Sequence, residues 1–157
     1  MNYNVIIGIV LLILSTLIGV ELSKKYTKRK TFYTHFNTFN KAFSSEVSLL
    51  KTTLPDFINN NAVVGSVFFQ GLANKFINKN SDNLDLSFLS SQEKDFYLNY
   101  LDNLGKGDLK TCLDFSNSVK GKIGEYLLDA STNEEKKKPL TIKVSFMIGL
   151  IAFIVCL

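Results

Sequence analysis

Two long apolar runs, one at each end of the 157-residue chain, constrain this protein more than any other feature. The first, residues 5–22, reads VIIGIVLLILSTLIGVEL, and its only charge is Glu21 at the edge. The second, residues 140–157, reads LTIKVSFMIGLIAFIVCL, and its only charge is Lys143. A helix needs about 20 apolar residues to cross the hydrocarbon core of a bilayer. The sequence therefore predicts one transmembrane helix over residues 1–23 and another over residues 139–157.

Each run also admits a second interpretation. The first resembles the core of a cleaved signal peptide, but no positive charge precedes it and no small-residue cleavage pattern follows it. The second has the composition of a buried core helix, but soluble domains rarely end in an uninterrupted apolar tail. Lys143 lies near its edge, where a lysine side chain extends to the headgroups. We expect both runs to be membrane anchors, and we expect Pro139 to interrupt or bend the helix before the second run.

Basic residues flank both runs on the side of the central segment. Neither outer tail contains Lys or Arg. Because Lys and Arg next to a transmembrane helix remain on the cytoplasmic side, we predict that the central segment, residues 24–138, is cytoplasmic and that both termini face outward. The residues that determine this topology are Lys24, Lys25, Lys28, Arg29 and Lys30 after the first run, and Lys136, Lys137 and Lys138 before the second.

The charge of the central segment excludes one class of partner. The whole chain has a net charge of +4, which by itself would be compatible with nucleic-acid binding. Residues 31–135, however, contain nine basic and thirteen acidic residues, a net charge of −4. Such a segment repels a phosphate backbone, so we expect no nucleic-acid partner.

The central segment carries apolar stripes at helical spacing and no alternating pattern long enough for a strand. After the first basic cluster, Phe32, Phe36, Phe39 and Phe43 recur at three- and four-residue intervals. This spacing predicts that the first transmembrane helix continues directly into a soluble helix that stops near Lys51.

Turn-forming and capping residues divide the segment that follows. Thr53 and Asp56 have the spacing of a capping box, with Pro55 in the first turn, and predict a second helix. A third helix is expected over residues 62–79. Its buried side is expected to comprise Val64, Val67, Phe68, Leu72, Phe76 and Ile77.

The rest of the central segment predicts a loop and two more helices. Residues 80–88 have the composition of a loop. Ser90 and Glu93 form a second capping box, which opens a helix that Gly105 terminates. Asp108 caps the last helix. The sequence therefore predicts an all-α fold, a membrane-anchored antiparallel helical bundle with one N-terminal and one C-terminal transmembrane helix.

Small residues lie one turn apart in each apolar run: Ser15 with Gly19, and Ser145 with Gly149. This spacing lets two helices approach closely in lipid. Small residues are also common in transmembrane helices in general, so the pattern is only weak evidence that the two helices pair.

Catalytic and cofactor-binding patterns are not found in the sequence. His35 is the only histidine, and it has no second His or nearby Cys with which to build a metal site or a triad. The turn around Lys106 lacks the spacing of a phosphate-binding loop. Cys112 and Cys156 lie in different segments, so no structural disulfide is expected. We expect a protein that is not an enzyme and has neither a cofactor nor a small-molecule substrate.

Four segments together resemble stage III sporulation protein AB of endospore-forming bacteria. These are STLIGVELSKKYTKR at residues 15–29, Glu46-Val47 followed by TTLPD at residues 52–56, LGKGD at residues 104–108, and the Glu-Lys-rich stretch before the short terminal apolar run. Thr53 stands where the family has the first proline of its Thr-Pro-Leu-Pro-Glu junction.

The resemblance implies a place in the channel that joins mother cell and forespore, in the mother-cell membrane around the forespore. It implies a helical platform domain similar to those of type II secretion and type IV pilus machines, located between a hexameric ATPase and the membrane ring. The implied partners are the other stage III sporulation complex proteins, including the ATPase, and membrane lipid.

Two matched positions are candidate interaction sites: Glu21, and the turn formed by Leu104, Gly105 and Asp108. Each has a purely structural alternative, because Glu21 can pair with a lysine one turn on and the turn can simply stop one helix and start the next. Two other functions also remain open. One is a generic scaffold of a type II secretion or type IV pilus-like system outside sporulation, and the other is a membrane-bound enzyme.

Overall fold

The computed structural model describes residues 3–47, 54–78 and 84–156, and every regular element in these ranges is helical. The all-α prediction is confirmed. The elements, in chain order, are α1 (Tyr3–Val47), α2 (Leu54–Asn61), α3 (Val67–Ala73) with a π-helical turn (Asn74–Asn78) directly after it, α4 (Ser91–Asn103) and α5 (Leu109–Cys156).

The chain forms two compact units. The first, here called the helix pair, covers Met1–Lys28 and Asp129–Leu157 and includes the outer part of α1 from Tyr3 and the outer part of α5 as far as Cys156. The second, here called the central unit, contains Arg29–Leu128. The boundaries predicted at residues 23/24 and 138/139 concern the edges of a bilayer and stay predictions.

The two long helices are continuous along their whole described length. α1 passes from the apolar run through the basic cluster to Val47, as predicted; the expected stop at Lys51 lies outside the described residues. α5 continues through Pro139, so the expected interruption there is wrong. A proline removes the hydrogen bond to the carbonyl four residues earlier, here that of Glu135. Pro139 and Glu135 are both exposed residues.

The third helix is shorter than predicted. Residues 62–66 are not helical, and α3 begins only at Val67. Gly65 has a φ of +79°, a left-handed conformation that glycine adopts without steric cost, and it turns the chain into the extended N-cap residue Ser66. Val64 is fully exposed, so its assignment to the core was wrong. Phe69, which the prediction left out, is buried instead.

The predicted capping residues of the second half are confirmed. The Ser90 hydroxyl accepts from the Glu93 backbone N–H, and the Glu93 carboxylate accepts from the Ser90 N–H at 2.9 Å, so both halves of the capping box at α4 are present. Gly105 follows α4 with a φ of +74°. The Asp108 carboxylate accepts from the Thr111 backbone N–H at 2.8 Å and so caps α5. The capping role predicted for Thr53 lies outside the described residues.

Aromatic rings form the core of the central unit. Phe36 of α1 lies at its centre, with its ring centroid 4.5 Å from that of Tyr100 and 4.9 Å from that of Phe68. Edge-to-face and offset contacts of this kind add to the stabilisation from burial alone. The buried apolar residues of this core are Phe32, Tyr33, Phe36, Phe39, Phe43, Phe57, Ile58, Phe68, Phe69, Leu72, Leu89, Tyr97, Tyr100, Leu101, Leu104 and Ile123.

A buried polar network crosses this aromatic core. Asn40 of α1 donates to the Ser116 carbonyl of α5 at 3.0 Å, and its side-chain oxygen accepts from the Ser116 hydroxyl at 2.9 Å and from the Tyr100 hydroxyl at 3.2 Å. Because buried polar groups need these partners, the network specifies the relative register of three helices. The sequence analysis assigned no role to Asn40 or Ser116.

Candidate functional site

The helix pair has an apolar surface over most of its length. Only 11% of the most apolar 18-residue window of α1, and 6% of that of α5, is buried. Both helices are long and apolar enough to cross a membrane, whereas the core helix of a soluble protein would be mostly buried. The exposed large apolar residues are Ile6, Ile7, Ile9, Val10, Leu11, Ile13, Leu14, Leu17, Ile18, Val20 and Leu22 on α1, and Leu140, Val144, Phe146, Met147, Ile148, Leu150, Ile151, Ile154 and Val155 on α5.

Small residues lie where the two apolar helices touch. The Ser15 hydroxyl donates to the Ser145 carbonyl. A Cβ atom built on Gly19 would overlap with the side chain of Ser145, and one built on Gly149 would lie 3.0 Å from the Leu12 Cα. The backbones therefore approach closely only because these positions are small. The pairing indicated by the small-residue spacing is confirmed, and we call these four residues (Ser15, Gly19, Ser145 and Gly149) the small-residue contact.

Polar side chains continue the same pairing beyond the apolar stretch. The Thr27 hydroxyl of α1 donates to the Glu134 carboxylate of α5 at 2.9 Å and accepts from the Lys138 ammonium at 3.0 Å. Lys138 also lies 3.6 Å from the Glu134 carboxylate. These bonds hold α1 and α5 together at the height of the two lysine clusters. The sequence analysis assigned no role to Thr27 or Glu134.

Glu21 forms a local ion pair. Its carboxylate lies 2.5 Å from the Lys24 ammonium one turn on, and both side chains are more than half exposed. The local pairing that the sequence offered as the structural alternative is therefore present. Exposed pairs of this kind contribute little to stability.

Arg29 has a different environment from the lysines around it. Its Nε donates to the Glu93 carboxylate of α4 at 2.9 Å, with side-chain exposures of 15% for Arg29 and 4% for Glu93. Burial alone would raise the pKa of Glu93, but hydrogen bonds from Ser90 and Arg29 outweigh it and hold this pKa below its usual value. Arg29 thus connects α1 to the capping box of α4, in addition to the role in membrane topology that the sequence predicts for it.

Tyr33 lies beside this ion pair in the core. Its ring is fully buried, and the Arg29 guanidinium lies 6.0 Å from the ring centroid. Burial, followed by the negative charge of Glu93, raises the pKa of Tyr33 well above its usual range. The phenol therefore stays neutral at physiological pH. The contact of Arg29 and Tyr33 with Glu93 was not predicted, because Glu93 lies at least 60 residues further along the chain.

The candidate interaction turn is exposed at its centre and buried at its first residue. Gly105, Lys106, Gly107 and Asp108 are exposed, whereas Leu104 is only 2% exposed and contributes its side chain to the core. A Cβ built on Gly105 would lie 2.9 Å from the Leu54 side chain of α2. Hydrogen bonds from Thr111 lower the pKa of the Asp108 carboxyl. A partner would therefore meet the backbone of this turn and the ionised Asp108.

The remaining candidates for chemistry do not assemble into a catalytic site within the described residues. His35 Nδ1 lies 2.7 Å from the hydroxyl of Ser66, and burial lowers the pKa of the imidazole. Ser66 is itself buried at the N-terminus of α3. The Cys112 thiol contacts the Lys106 carbonyl at 3.5 Å. In the part of the chain that the structure describes, no three His, Cys, Asp or Glu residues are grouped as a metal site requires.

Comparisons with family models, with curated proteins and with solved structures find no match to this chain. Its function is therefore argued from its own residues and geometry. The protein is all-α, and two of its helices are long and apolar enough to cross a membrane. These two helices contact each other through small residues, and each of them also contributes residues to the central unit with its aromatic core.

Proposed function

We propose that the chain is a non-enzymatic membrane platform protein of the kind represented by stage III sporulation protein AB. In this proposal it is part of the secretion-like complex that links mother cell and forespore, and it lies in the mother-cell membrane with its central unit in the cytoplasm. It docks between an ATPase and the membrane ring.

The observation that carries the proposal is the continuity of α1 and α5. Each helix extends from the apolar helix pair into the central unit without a break. A domain attached to the bilayer through two continuous helices cannot diffuse away from it, so it is suited to anchor a partner or to transmit force. Exposed lysines lie at the end of each apolar run that is nearer to the central unit. Their position supports the cytoplasmic orientation of the central unit.

The docking surface proposed for a partner is the exposed turn from Gly105 to Asp108, which matches the family's Leu-Gly-x-x-Asp turn. Asp108 and the open glycine backbone supply a negative charge and accessible backbone polar groups. In the proposal this turn contacts the ATPase or another cytoplasmic protein of the complex.

Topology is the first test. A fluorescent or alkaline-phosphatase reporter is fused to either terminus, and a third reporter replaces residues 106–107 in the turn. We expect phosphatase activity at both termini and fluorescence only from the turn. A terminal reporter that is active in the cytosol would remove the physical basis of the platform role.

Partner identity is the second test. Crosslinking mass spectrometry of the tagged full-length chain from sporulating cells is expected to recover the ATPase and other proteins of the complex, with crosslinks at Lys106. Constant expression in growing cells, together with recovery of pilus or secretion proteins, would instead favour the generic scaffold. A catalytic turnover by the purified protein that is lost in His35→Ala, Asp108→Ala or Cys112→Ala would favour the membrane-bound enzyme.

A further inference from the structure

The hydrogen bonds within the helix pair set the heights of its lysines. Ser15 pairs with Ser145, and Thr27 pairs with Glu134. In an antiparallel pair, residues of α1 and α5 whose numbers add up to about 160 therefore lie at the same height. Lys24 and Lys25 of α1 thus lie level with Lys136 and Lys137 of α5, although more than 100 residues separate them in sequence.

This layer of the helix pair has a surplus of positive charge. Residues 21–28 and 134–138 together contain six lysines and three glutamates, a net charge of +3. Glu21 is already paired with Lys24, and Glu134 with Thr27 and Lys138. Lys25, Lys136 and Lys137 are exposed and have no carboxylate within ion-pair distance among the described residues.

The surplus lies next to an apolar surface. Within the helix pair, the exposed large apolar residues of α1 end at Leu22, two positions before Lys24, and those of α5 begin at Leu140, two positions after Lys138. One residue adds about 1.5 Å along a helix, so the change from apolar to cationic surface takes place within about 5 Å on both helices. A ligand that fits this boundary has an apolar tail and a negatively charged head.

We infer that the rim formed by Lys25, Lys136 and Lys137 binds the phosphodiester headgroups of anionic phospholipids in preference to zwitterionic ones. The inference rests on the membrane insertion in the proposed function and names the lipid class that the inserted protein selects. The Thr27–Glu134–Lys138 bonds contribute by keeping the two halves of the rim at one height. A phospholipid is favoured over free phosphate because its acyl chains contact the adjoining apolar surface.

The test uses the full-length chain, purified in mild detergent and equilibrated with equal amounts of phosphatidylglycerol and phosphatidylcholine. The ratio of the two lipids retained on the protein is measured by native mass spectrometry. Each lysine near an anionic lipid surface contributes about a fivefold preference. We therefore expect Lys136→Gln/Lys137→Gln to lower the ratio by about 25-fold.

The matched control is Lys110→Gln/Lys120→Gln, which removes two exposed lysines of the central unit and the same charge. We expect it to leave the ratio unchanged. A measurement on the unaltered chain is independent of any variant's folding: raising NaCl from about 50 mM to 500 mM should lower the ratio, because salt screens exposed charges. Inorganic phosphate at 10 mM should not displace the lipid.

Four results would overturn the inference: a lipid ratio near one, equal losses in the two double variants, a ratio insensitive to salt, or displacement of the lipid by inorganic phosphate. None of them affects the proposed function, which depends on insertion and partners. Failure of the chain to insert into vesicles of either lipid would refute both.

Discussion

Substitution of Gly19 by leucine tests the helix pair most directly. A Cβ at this position would overlap with the Cβ and Oγ atoms of Ser145, and it would lie 3.5 Å from the Thr141 carbonyl. A leucine side chain adds three further carbons to that overlap, so α1 and α5 have to separate. Overpacking a close contact typically costs about 1–3 kcal/mol. At about 2 kcal/mol the ratio of paired to unpaired helices falls by roughly 30-fold.

Disulfide formation across the small-residue contact reports whether the two helices remain close at this position. The chain is prepared with Cys112→Ser and Cys156→Ser, and Ser15→Cys and Ser145→Cys are introduced at the two residues joined by a hydrogen bond. In isolated membranes this pair is expected to oxidise within one chain and to shift its mobility on a non-reducing gel. Adding Gly19→Leu should slow the initial rate at least tenfold.

Gly121→Leu is the matched control, because a Cβ at Gly121 meets none of the described atoms within 4 Å. It should leave the crosslinking rate unchanged. A second control replaces Ser15→Cys with Leu17→Cys, since Leu17 is 59% exposed, and it should crosslink poorly to Ser145→Cys. Equal rates for Gly19→Leu and Gly121→Leu would show that the helices do not touch at Gly19, and the reasoning from small residues would be refuted.

Three further predictions concern the central unit and are measured on the full-length chain in detergent by circular dichroism. Glu93→Ala should lower the free energy of unfolding by about 3–5 kcal/mol, because it removes the nearly buried carboxylate that the Arg29 guanidinium binds; a loss as small as that of an exposed pair would contradict the ion pair. The pKa of His35 is lower in the folded state than in the unfolded state, so folding favours the neutral imidazole. The resulting stabilisation is fully present above the unfolded pKa of about 6.5, and it is lost as the pH falls below that value. The folded-state pKa of Glu93 is also lowered, as are those of Asp102 and Asp108, so a second loss begins below about pH 4.3; His35→Gln should abolish the first loss alone, and Glu93→Gln should reduce the second. Gly105→Ala should cost about 1–2 kcal/mol through its positive φ, and an unchanged melting temperature would argue against that turn.

Local patterns predicted the elements of this fold well. Phenylalanines at helical spacing predicted that α1 continues past the first apolar run, and Ser90 with Glu93 predicted the start of α4. Both signals depend on residues three or four positions apart, which the helix itself brings together. Gly65 and Pro139 were harder to interpret. The turn at Gly65 displaced the start of α3 by five residues, and Pro139 did not end α5.

The sequence by itself determined which segments are apolar, where the lysines lie relative to them, and that the chain is helical. These properties follow from composition and short-range spacing, which are independent of the remainder of the chain. They were sufficient to predict two membrane helices. The spacing of Ser15, Gly19, Ser145 and Gly149 pointed to a contact between these helices but did not establish it.

Only the tertiary structure decided which distant residues meet. The Arg29–Glu93 pair joins positions 64 residues apart, the Asn40–Ser116 network joins positions 76 apart, and Thr27–Glu134 joins positions 107 apart. Spacing along a helix contains no information about such contacts, because they depend on how helices rotate and slide against one another until buried polar groups find partners and small residues meet. For the same reason, two lysine clusters that are separate in the sequence lie at one height in the folded helix pair.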